Sequence, residues 1–232
     1  MKNFLNKLID DIQVKVYANR VHFYFNIFMS QIIRQRNPDE PKMIPNGEPI
    51  IAGEFRIGAV INFPILEDRG KGYEERIFEK YVRSPGTRII TVKDKKIYLQ
   101  KEQRTESLYA FDWRLPGGKV IDTFAEHKQY LSKPIPEEIV LNAALKELQE
   151  EAHMTGNAKF FTKKICGTTV EWDLYYIVVD NVTPYQVEYE HKESEQVEES
   201  GWFTFEEVLE KCKKGEISEG RTVAALFEFI SR

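Results

Sequence analysis

Leu115-Pro116-Gly117-Gly118-Lys119 and, after 26 intervening residues, Lys146-Glu147-Leu148-Gln149-Glu150-Glu151 decide the fold of this 232-residue chain. The first run predicts a glycine-rich turn after an apolar strand, and the second predicts an acidic helix. Glu147, Glu150 and Glu151 recur at helical spacing, so their carboxylates project to one side of that helix. Like charges placed so close destabilise a helix unless a cation lies among them. Oxygen ligands favour Mg²⁺ or Mn²⁺ over zinc, so the pattern predicts a site for a hard divalent cation.

This arrangement resembles the Nudix hydrolase box, whose pattern is G-x5-E-x7-R-E-U-x-E-E-x-G-U with U an aliphatic residue. Gly118 matches the first glycine, Glu138 the first glutamate, and residues 146–154 the end of the pattern. An acidic surface helix is the simpler interpretation of the glutamates alone, but the Leu-Pro-Gly-Gly turn and the matches on both sides of the box distinguish this helix. The resemblance implies an α/β (α+β) Nudix fold with a mixed β-sheet between helices.

Three departures from the pattern leave the metal-binding carboxylates in place. Nineteen residues separate Gly118 from Glu138, so about fourteen are inserted relative to the family's loop. Lys146 replaces the family's arginine and cannot form its planar, two-pronged hydrogen bonds. His153 replaces a glycine, which predicts that the helix continues past the motif and ends nearer Gly156.

The resemblance also implies a set of metal ligands and a mechanism. The predicted ligands are the carbonyl of Gly117 and the carboxylates of Glu147, Glu150 and Glu151. One or more Mg²⁺ ions, with Mn²⁺ as the alternative, would neutralise a diphosphate and lower the pKa of a bound water that attacks phosphorus.

In one branch of the resembled family, the ADP-ribose pyrophosphatases, an acidic loop late in the chain supplies a further carboxylate, as base or metal ligand. Glu193 and Glu195 occupy the matching place and join Glu151 as candidate catalytic residues. An ordinary exposed acidic loop is the alternative interpretation of either residue.

The sequences flanking the box resemble the ADP-ribose pyrophosphatase branch of the family, and this resemblance covers roughly residues 53 to 232. Arg104 is the predicted phosphate clamp, because a guanidinium matches phosphate oxygens bidentately. Gln103 and Trp113 are the other candidate substrate-binding residues. A surface salt bridge is the alternative for Arg104, and a place in the core is the alternative for Trp113.

Residues 1–50 are predicted to be a helical extension and linker, 51–85 a small β-rich region, and 86–232 the Nudix domain. An amphipathic helix is predicted from the apolar residues Phe4, Leu5, Leu8, Ile9 and Ile12. The segment Val21–Ile33 fits a strand or a helix, and the prolines of residues 37–49 predict a linker. In the resembled branch the N-terminal sheet packs against a second subunit, so the resemblance implies a homodimer.

Within the insert, Thr123-Phe124-Ala125-Glu126 has the form of a capping box and predicts a short helix through about Leu131. The insert is adjacent in sequence to the predicted metal site. Two interpretations stay open: the insert shapes a substrate pocket, or it is a neutral surface elaboration.

Composition excludes some classes of partner. The net charge of −4 gives no electrostatic case for nucleic-acid binding. The longest apolar stretch is too short and too polar to cross a bilayer, which indicates no membrane segment. Two unpaired cysteines and no secretory leader favour a reducing cytoplasm.

The expected activity is metal-dependent hydrolysis of the pyrophosphate bond of a nucleoside diphosphate derivative, either ADP-ribose or another nucleoside diphosphate sugar. The products would be a nucleoside monophosphate and a sugar phosphate. Residues 167–172 lack a proline that the ADP-ribose branch often carries downstream of its box, which leaves the sugar open. A nucleoside triphosphate hydrolase and a non-catalytic nucleotide-binding module of the same fold are the alternatives.

Overall fold

The computed structural model describes residues 42–103, 111–131, 133–186 and 196–232, and these ranges contain two β-sheets and four α-helices. The first sheet comprises β1 (Lys42–Pro45), β2 (Ile50–Glu54), β3 (Gly58–Asp68), β4 (Tyr73–Arg83) and β9 (Val170–Glu171). The second comprises β5 (Gly86–Lys93), β6 (Lys96–Gln103), β7 (Asp112–Arg114), β8 (Met154–Lys164), β10 (Leu174–Pro184) and β11 (Gln196–Thr204). The helices are α1 (Phe124–His127), α2 (Glu137–Ala152), α3 (Phe205–Lys213) and α4 (Gly220–Ile230).

Strand β3 is the centre of the first sheet. It pairs antiparallel with β1 and β2 along one edge and with β4 along the other. Its alternate residues Ala59, Ile61, Phe63 and Ile65 are fully buried on one face, as the period of two in a strand requires. Strand β1 lies inside the region predicted to be a linker, so that prediction is wrong for residues 42–45. Its last residue, Pro45, is tolerated because the strand lies at the edge of the sheet.

The second sheet has the strand order β11-β6-β5-β10-β8, in which β5 and β10 are parallel and the other neighbours are antiparallel. Helix α2 covers one face, where Val140, Ala144 and Leu148 pack with residues of β5 and β10. Helices α3 and α4 cover the other face. The predicted fold class, a mixed sheet between helices, is confirmed.

The β5–β6 hairpin positions the glycine-rich run. Its turn residues Asp94 and Lys95 both have positive φ, as a two-residue type I′ turn requires. Near the turn, Val92 pairs with Ile97. Farther away, β6 pairs with β7, and amides of β5 donate hydrogen bonds to the segment that follows β7. The Leu-Pro-Gly-Gly run is therefore held against the start of β5.

The predicted amphipathic helix and the segment Val21–Ile33 lie outside the described residues. Of the helices in the described ranges, none has the length and apolar content needed to cross a membrane.

Candidate active site

Helix α2 carries the acidic motif in its last two turns. Val140, Ala144 and Leu148 bury one side of the helix against the sheet, which leaves Glu147 and Glu151 half-buried and Glu150 exposed. The predicted helix is confirmed, and its spacing places Glu147 and Glu151 on the side next to the glycine-rich run.

Two backbone hydrogen bonds fix the glycine-rich run on β5. The amide of Thr87 donates to the Gly118 carbonyl at 2.8 Å, and the amide of Ile89 donates to the Pro116 carbonyl at 2.9 Å. Gly117, between these two carbonyls, has φ +150°, and a Cβ there would lie 2.2 Å from the Thr87 carbonyl oxygen. Residue 117 must therefore be glycine for the run to approach β5 so closely.

The same run touches the acidic end of α2. A Cβ on Gly118 would lie 2.1 Å from Oε1 of Glu147, so this carboxylate occupies the space that any other residue's side chain would need. The amide of Gly117 donates to Oε2 of Glu151 at 3.0 Å. Two of the three predicted metal-binding carboxylates are thus placed at the Gly-Gly turn.

Gln100 is a positioning residue that the sequence analysis missed. Its side chain is 1% exposed, and its Nε2 donates to the backbone carbonyl of Glu151 at 3.1 Å, which ties the end of α2 to β6. Its Oε1 is buried with no hydrogen-bond partner in the part of the chain that the structure describes. The sequence signal for this role was the amide side chain of Gln100 within an otherwise apolar part of the strand, next to Leu99.

Lys146 lies near Glu150 on the helix surface. The ammonium nitrogen is 3.9 Å from Oε1 of Glu150, and both side chains are at least half exposed. Exposed ion pairs of this kind contribute little, about 0–1 kcal/mol. Lys146 therefore holds Glu150 weakly, as its replacement of the family's arginine predicts.

The predicted extension of the helix past the motif is wrong. Helix α2 ends at Ala152, and His153 takes the left-handed conformation with φ 53° and ψ 38°. That conformation costs a residue other than glycine about 1–2 kcal/mol. The His153 amide donates to the carbonyls of Leu148 and Gln149, and the His153 carbonyl accepts from Tyr185, so the surrounding bonds maintain it. His153 thus serves in the place of the family's glycine, and Gly156 lies in β8.

Trp113 packs in the core. It is 8% exposed, meets the Phe203 ring edge-on at 4.8 Å, and lies under the Lys211 ammonium at 4.3 Å. These contacts are those of a core residue, and the prediction that Trp113 binds substrate stays a prediction. Gln103 is exposed at the end of β6. Arg104 lies outside the described residues, as do Glu193 and Glu195.

The residues present suit a hard divalent cation by their chemistry. Every candidate ligand at the turn is an oxygen atom. Gln100 donates to the Glu151 carbonyl through Nε2, and its buried Oε1 has no hydrogen-bond partner within the described ranges. Within the described ranges, no three His, Cys, Asp or Glu side chains lie close enough together to hold a metal ion.

A family comparison agrees with this geometry. The model of the NUDIX domain matches residues 82–226, more than half of the chain. The mixed sheet, the glycine-rich run and the acidic end of α2 all lie within that match. The chain belongs to the Nudix family.

Solved structures with the same fold include the crystal structure of an ADP compounds hydrolase. It is 16% identical with a TM-score of 0.58, over 83% of this chain and 94% of that one. The ORF135 protein of E. coli is 18% identical with a TM-score of 0.45, over 64% and 89% of the two chains. A MutT NUDIX hydrolase from Burkholderia pseudomallei is 23% identical with a TM-score of 0.37, over 53% and 84%. The comparison with curated protein sequences gave no match.

Proposed function

We propose that this Nudix-family chain hydrolyses the pyrophosphate bond of a nucleoside diphosphate derivative in a divalent-metal-dependent reaction. ADP-ribose and other nucleoside diphosphate sugars are the first candidate substrates, with a nucleoside monophosphate and a sugar phosphate as products. The observation that carries the proposal is the contact between the Gly-Gly turn and the acidic end of α2, where Glu147 packs on Gly118 and Glu151 accepts from Gly117.

In this proposal Glu147, Glu150, Glu151 and the carbonyl of Gly117 hold Mg²⁺ or Mn²⁺. A bound cation of this kind neutralises phosphate charge and activates a water for attack. The Gly117 amide orients Glu151, and Gln100 fixes the backbone that carries it. Glu150 is the carboxylate open to solvent, so a substrate can reach it from outside.

Three further residues complete the proposed mechanism. Glu193 or Glu195 takes the proton from the attacking water. Arg104 pairs with the diphosphate through its planar guanidinium, next to the exposed Gln103. These assignments come from the resemblance. Single substitutions at Glu193, Glu195 and Arg104 test them directly.

The preference for a diphosphate derivative rests on two supports. The sequence of residues 103–104 matches the ADP-ribose pyrophosphatase branch, and the fold matches an ADP compounds hydrolase over most of both chains. The test is the release of a phosphatase-sensitive monophosphate from ADP-ribose, other nucleoside diphosphate sugars, dinucleoside polyphosphates and nucleoside triphosphates. Cleavage of triphosphates alone would contradict the substrate class. Thermal stabilisation by a nucleotide without cleavage would favour a binding module.

Glu150→Gln is the sharpest test of the metal site. Its side chain is half exposed, so the exchange removes a charge without disturbing the core. We expect turnover to fall by at least about a hundredfold, the scale of a lost catalytic electrostatic contact. The readouts are steady-state cleavage and Mn²⁺ binding followed by electron paramagnetic resonance.

Glu137→Gln, an exposed glutamate in the first turn of the same helix, is the matched control and should keep wild-type turnover. Wild-type turnover in folded Glu150→Gln would refute the assignment. Chelator should abolish cleavage by the wild-type protein and leave its fold intact.

A homodimer through the first sheet is also part of the proposal. Ile50 and Ile77 pair with Asn62 and Pro64, which lie on the face of β3 opposite its buried residues. Both isoleucines are more than half exposed. An apolar sheet face that is open to water in one copy is suited to contact with a second.

The proposed location is a reducing cytoplasm. Both cysteines, the exposed Cys166 and the buried Cys212, are free thiols, and burial raises the pKa of the Cys212 thiol to about 11. A buried, protonated thiol is a small hydrophobe rather than a nucleophile.

A further inference from the structure

A cavity of about 90 Å³ lies beside the start of α2. Ile135, one of its lining residues, comes just before the helix, whereas Glu150 and Glu151 are in its last turn. The two positions are separated by about 20 Å along the helix axis. The cavity is therefore separate from the acidic end of α2, although Pro85 in its wall precedes Gly86, which pairs with Lys119 at the end of the glycine-rich run. A single water needs only about 10–15 Å³ of such space.

The carboxylates around this cavity already have partners. Asp173 accepts from the Lys163 ammonium at 2.6 Å, and Glu171 is 3.5 Å from the Lys80 ammonium. The remaining charged side chains in the lining are the cations Arg83 and Lys133. The wall thus carries an excess of positive charge.

Arg83, at the end of β4, has no carboxylate partner within the described ranges. Its guanidinium stacks on the Trp172 ring at 4.2 Å, and Arg221 stacks on the same ring at 4.5 Å. Arg221 donates to the Trp172 carbonyl, whereas the buried Nε of Arg83 has no acceptor. Burial lowers the pKa of Arg83, and the charge of Arg221 lowers it further. Stacking holds this guanidinium in place but leaves its hydrogen bonds unused.

His127, from the insert, supplies a second unused polar group. It is 7% exposed, and its Nδ1 is buried without a hydrogen-bond partner in the described part of the chain. Burial lowers the pKa of this imidazole, although Asp173 opposes the change. Arg83 and His127 both line the cavity, so an anion held there lies next to a guanidinium and an imidazole.

We propose that this cavity binds a small phosphate-bearing anion, with Arg83 and His127 as its direct contacts and Lys133 at its rim. A guanidinium matches phosphate oxygens, and the neighbouring imidazole supplies a further hydrogen bond. The ligand is either free phosphate or the phosphate group of a small molecule. The insert, which supplies His127 and Lys133, creates this site.

Nuclear magnetic resonance of the histidine rings tests the proposal in the full chain, because it has four histidines. The His127 signal is assigned by its loss in His127→Gln. With chelator present, inorganic phosphate should shift this signal saturably at millimolar concentration, while His153, at the other end of α2, stays unchanged. Glucose 6-phosphate in a parallel titration separates the two sources: tighter binding than inorganic phosphate identifies an organic phosphate, and weaker binding identifies free phosphate.

Arg83→Gln should weaken phosphate binding by about tenfold to a hundredfold, the effect of losing a charged hydrogen bond. Lys133→Gln, at an exposed position that does not affect folding, should weaken it a few-fold. Arg69→Gln, at an exposed arginine outside the cavity lining, is the control and should bind like wild type. The proposal is overturned if phosphate does not shift His127, if chloride at equal ionic strength shifts it equally, or if folded Arg83→Gln binds as tightly as wild type.

Discussion

At the candidate active site, the Glu147 carboxylate occupies the space beside Gly118. The carboxylate lies where a β-carbon on Gly118 would stand, and the adjoining Gly117 amide holds Glu151. The glycines therefore determine where two of the proposed metal-binding carboxylates lie, although neither glycine contributes a side chain. Small displacements matter here because a shift of about 1 Å at a reacting centre can cost on the order of a hundredfold in rate.

Gly118→Ala should lower activity strongly and change stability little. The new methyl group would meet the end of a side chain rather than backbone, so the fold can accommodate it by moving Glu147. We expect kcat/KM to fall by about a hundredfold, with a change of roughly 1 kcal/mol or less in the free energy of unfolding. Gly167→Ala is the control, because a β-carbon there has nothing within 4 Å. Equal activity of the two variants would contradict the proposed position of Glu147.

The sequence predicts some of these residues because their pattern is local. Three glutamates at helical spacing define one side of α2 without knowledge of the rest of the chain. Gln100 escapes prediction because its role depends on a contact with a residue 51 positions away. The prediction for the helix end at His153 is wrong because backbone hydrogen bonds to Tyr185 and to the helix end maintain its left-handed conformation. These bonds outweigh the preference of a residue other than glycine for negative φ.

The insert between the glycine-rich run and α2 is a structural element of the first sheet. Thr123 and Glu126 form the predicted capping box at the start of α1, and a short 3-10 turn continues to Tyr130. Phe124 is fully buried against Ala59, Ile61, Phe63, Ile65 and Val82. These contacts exclude the interpretation of the insert as a neutral surface elaboration.

Phe124→Ala should destabilise the protein by about 3–5 kcal/mol, the usual cost of removing a buried phenyl ring. The expected result is a lower denaturant midpoint with an unchanged slope. Phe160→Ala, at a ring that is 42% exposed in β8, provides the comparison and should cost much less. Equal effects of the two substitutions would show that Phe124 does not anchor the insert.

Elements with local signals are predicted better than elements that depend on pairing. The β5–β6 hairpin has a charged two-residue turn between apolar runs, which is a local signal for the turn that the structure shows. Strand β1 has prolines around it, which predict a linker, but Lys42–Pro45 pairs with residues of β3 that lie 20 to 26 positions later. Hydrogen bonding to β3 stabilises this short edge strand in a way that its own sequence does not show.

At the scale of the whole molecule, the two sheets of the described ranges are connected through β4 and β9. The short strand β9, which comes just before β10 of the second sheet, pairs parallel with β4 of the first. The first sheet buries one face and leaves apolar residues exposed on the other. This arrangement supports the proposed homodimer and indicates which face to substitute.

Ile77→Glu should convert the dimer into a monomer without unfolding it. Ile77 is 66% exposed in one copy, so a charge there is hydrated in the monomer but would be buried unpaired in a dimer. Light scattering after size-exclusion chromatography gives the mass directly. Ile165→Glu is matched in exposure, also 66%, and lies in the loop after β8. A dimer that persists in Ile77→Glu, or that is lost equally in Ile165→Glu, would place the interface elsewhere.

The hydrogen bonds that hold the acidic end of α2 have a consequence for the timing of folding. Gly117 and Glu151 are 34 residues apart, and Gln100 and the Glu151 carbonyl are 51 apart. A chain that has formed α2 alone therefore has glutamates on a helix but no assembled site. If these carboxylates bind metal as proposed, tight binding should emerge only when β5, β6 and the glycine-rich run have docked, and the proposed activity should begin only when the central sheet is complete.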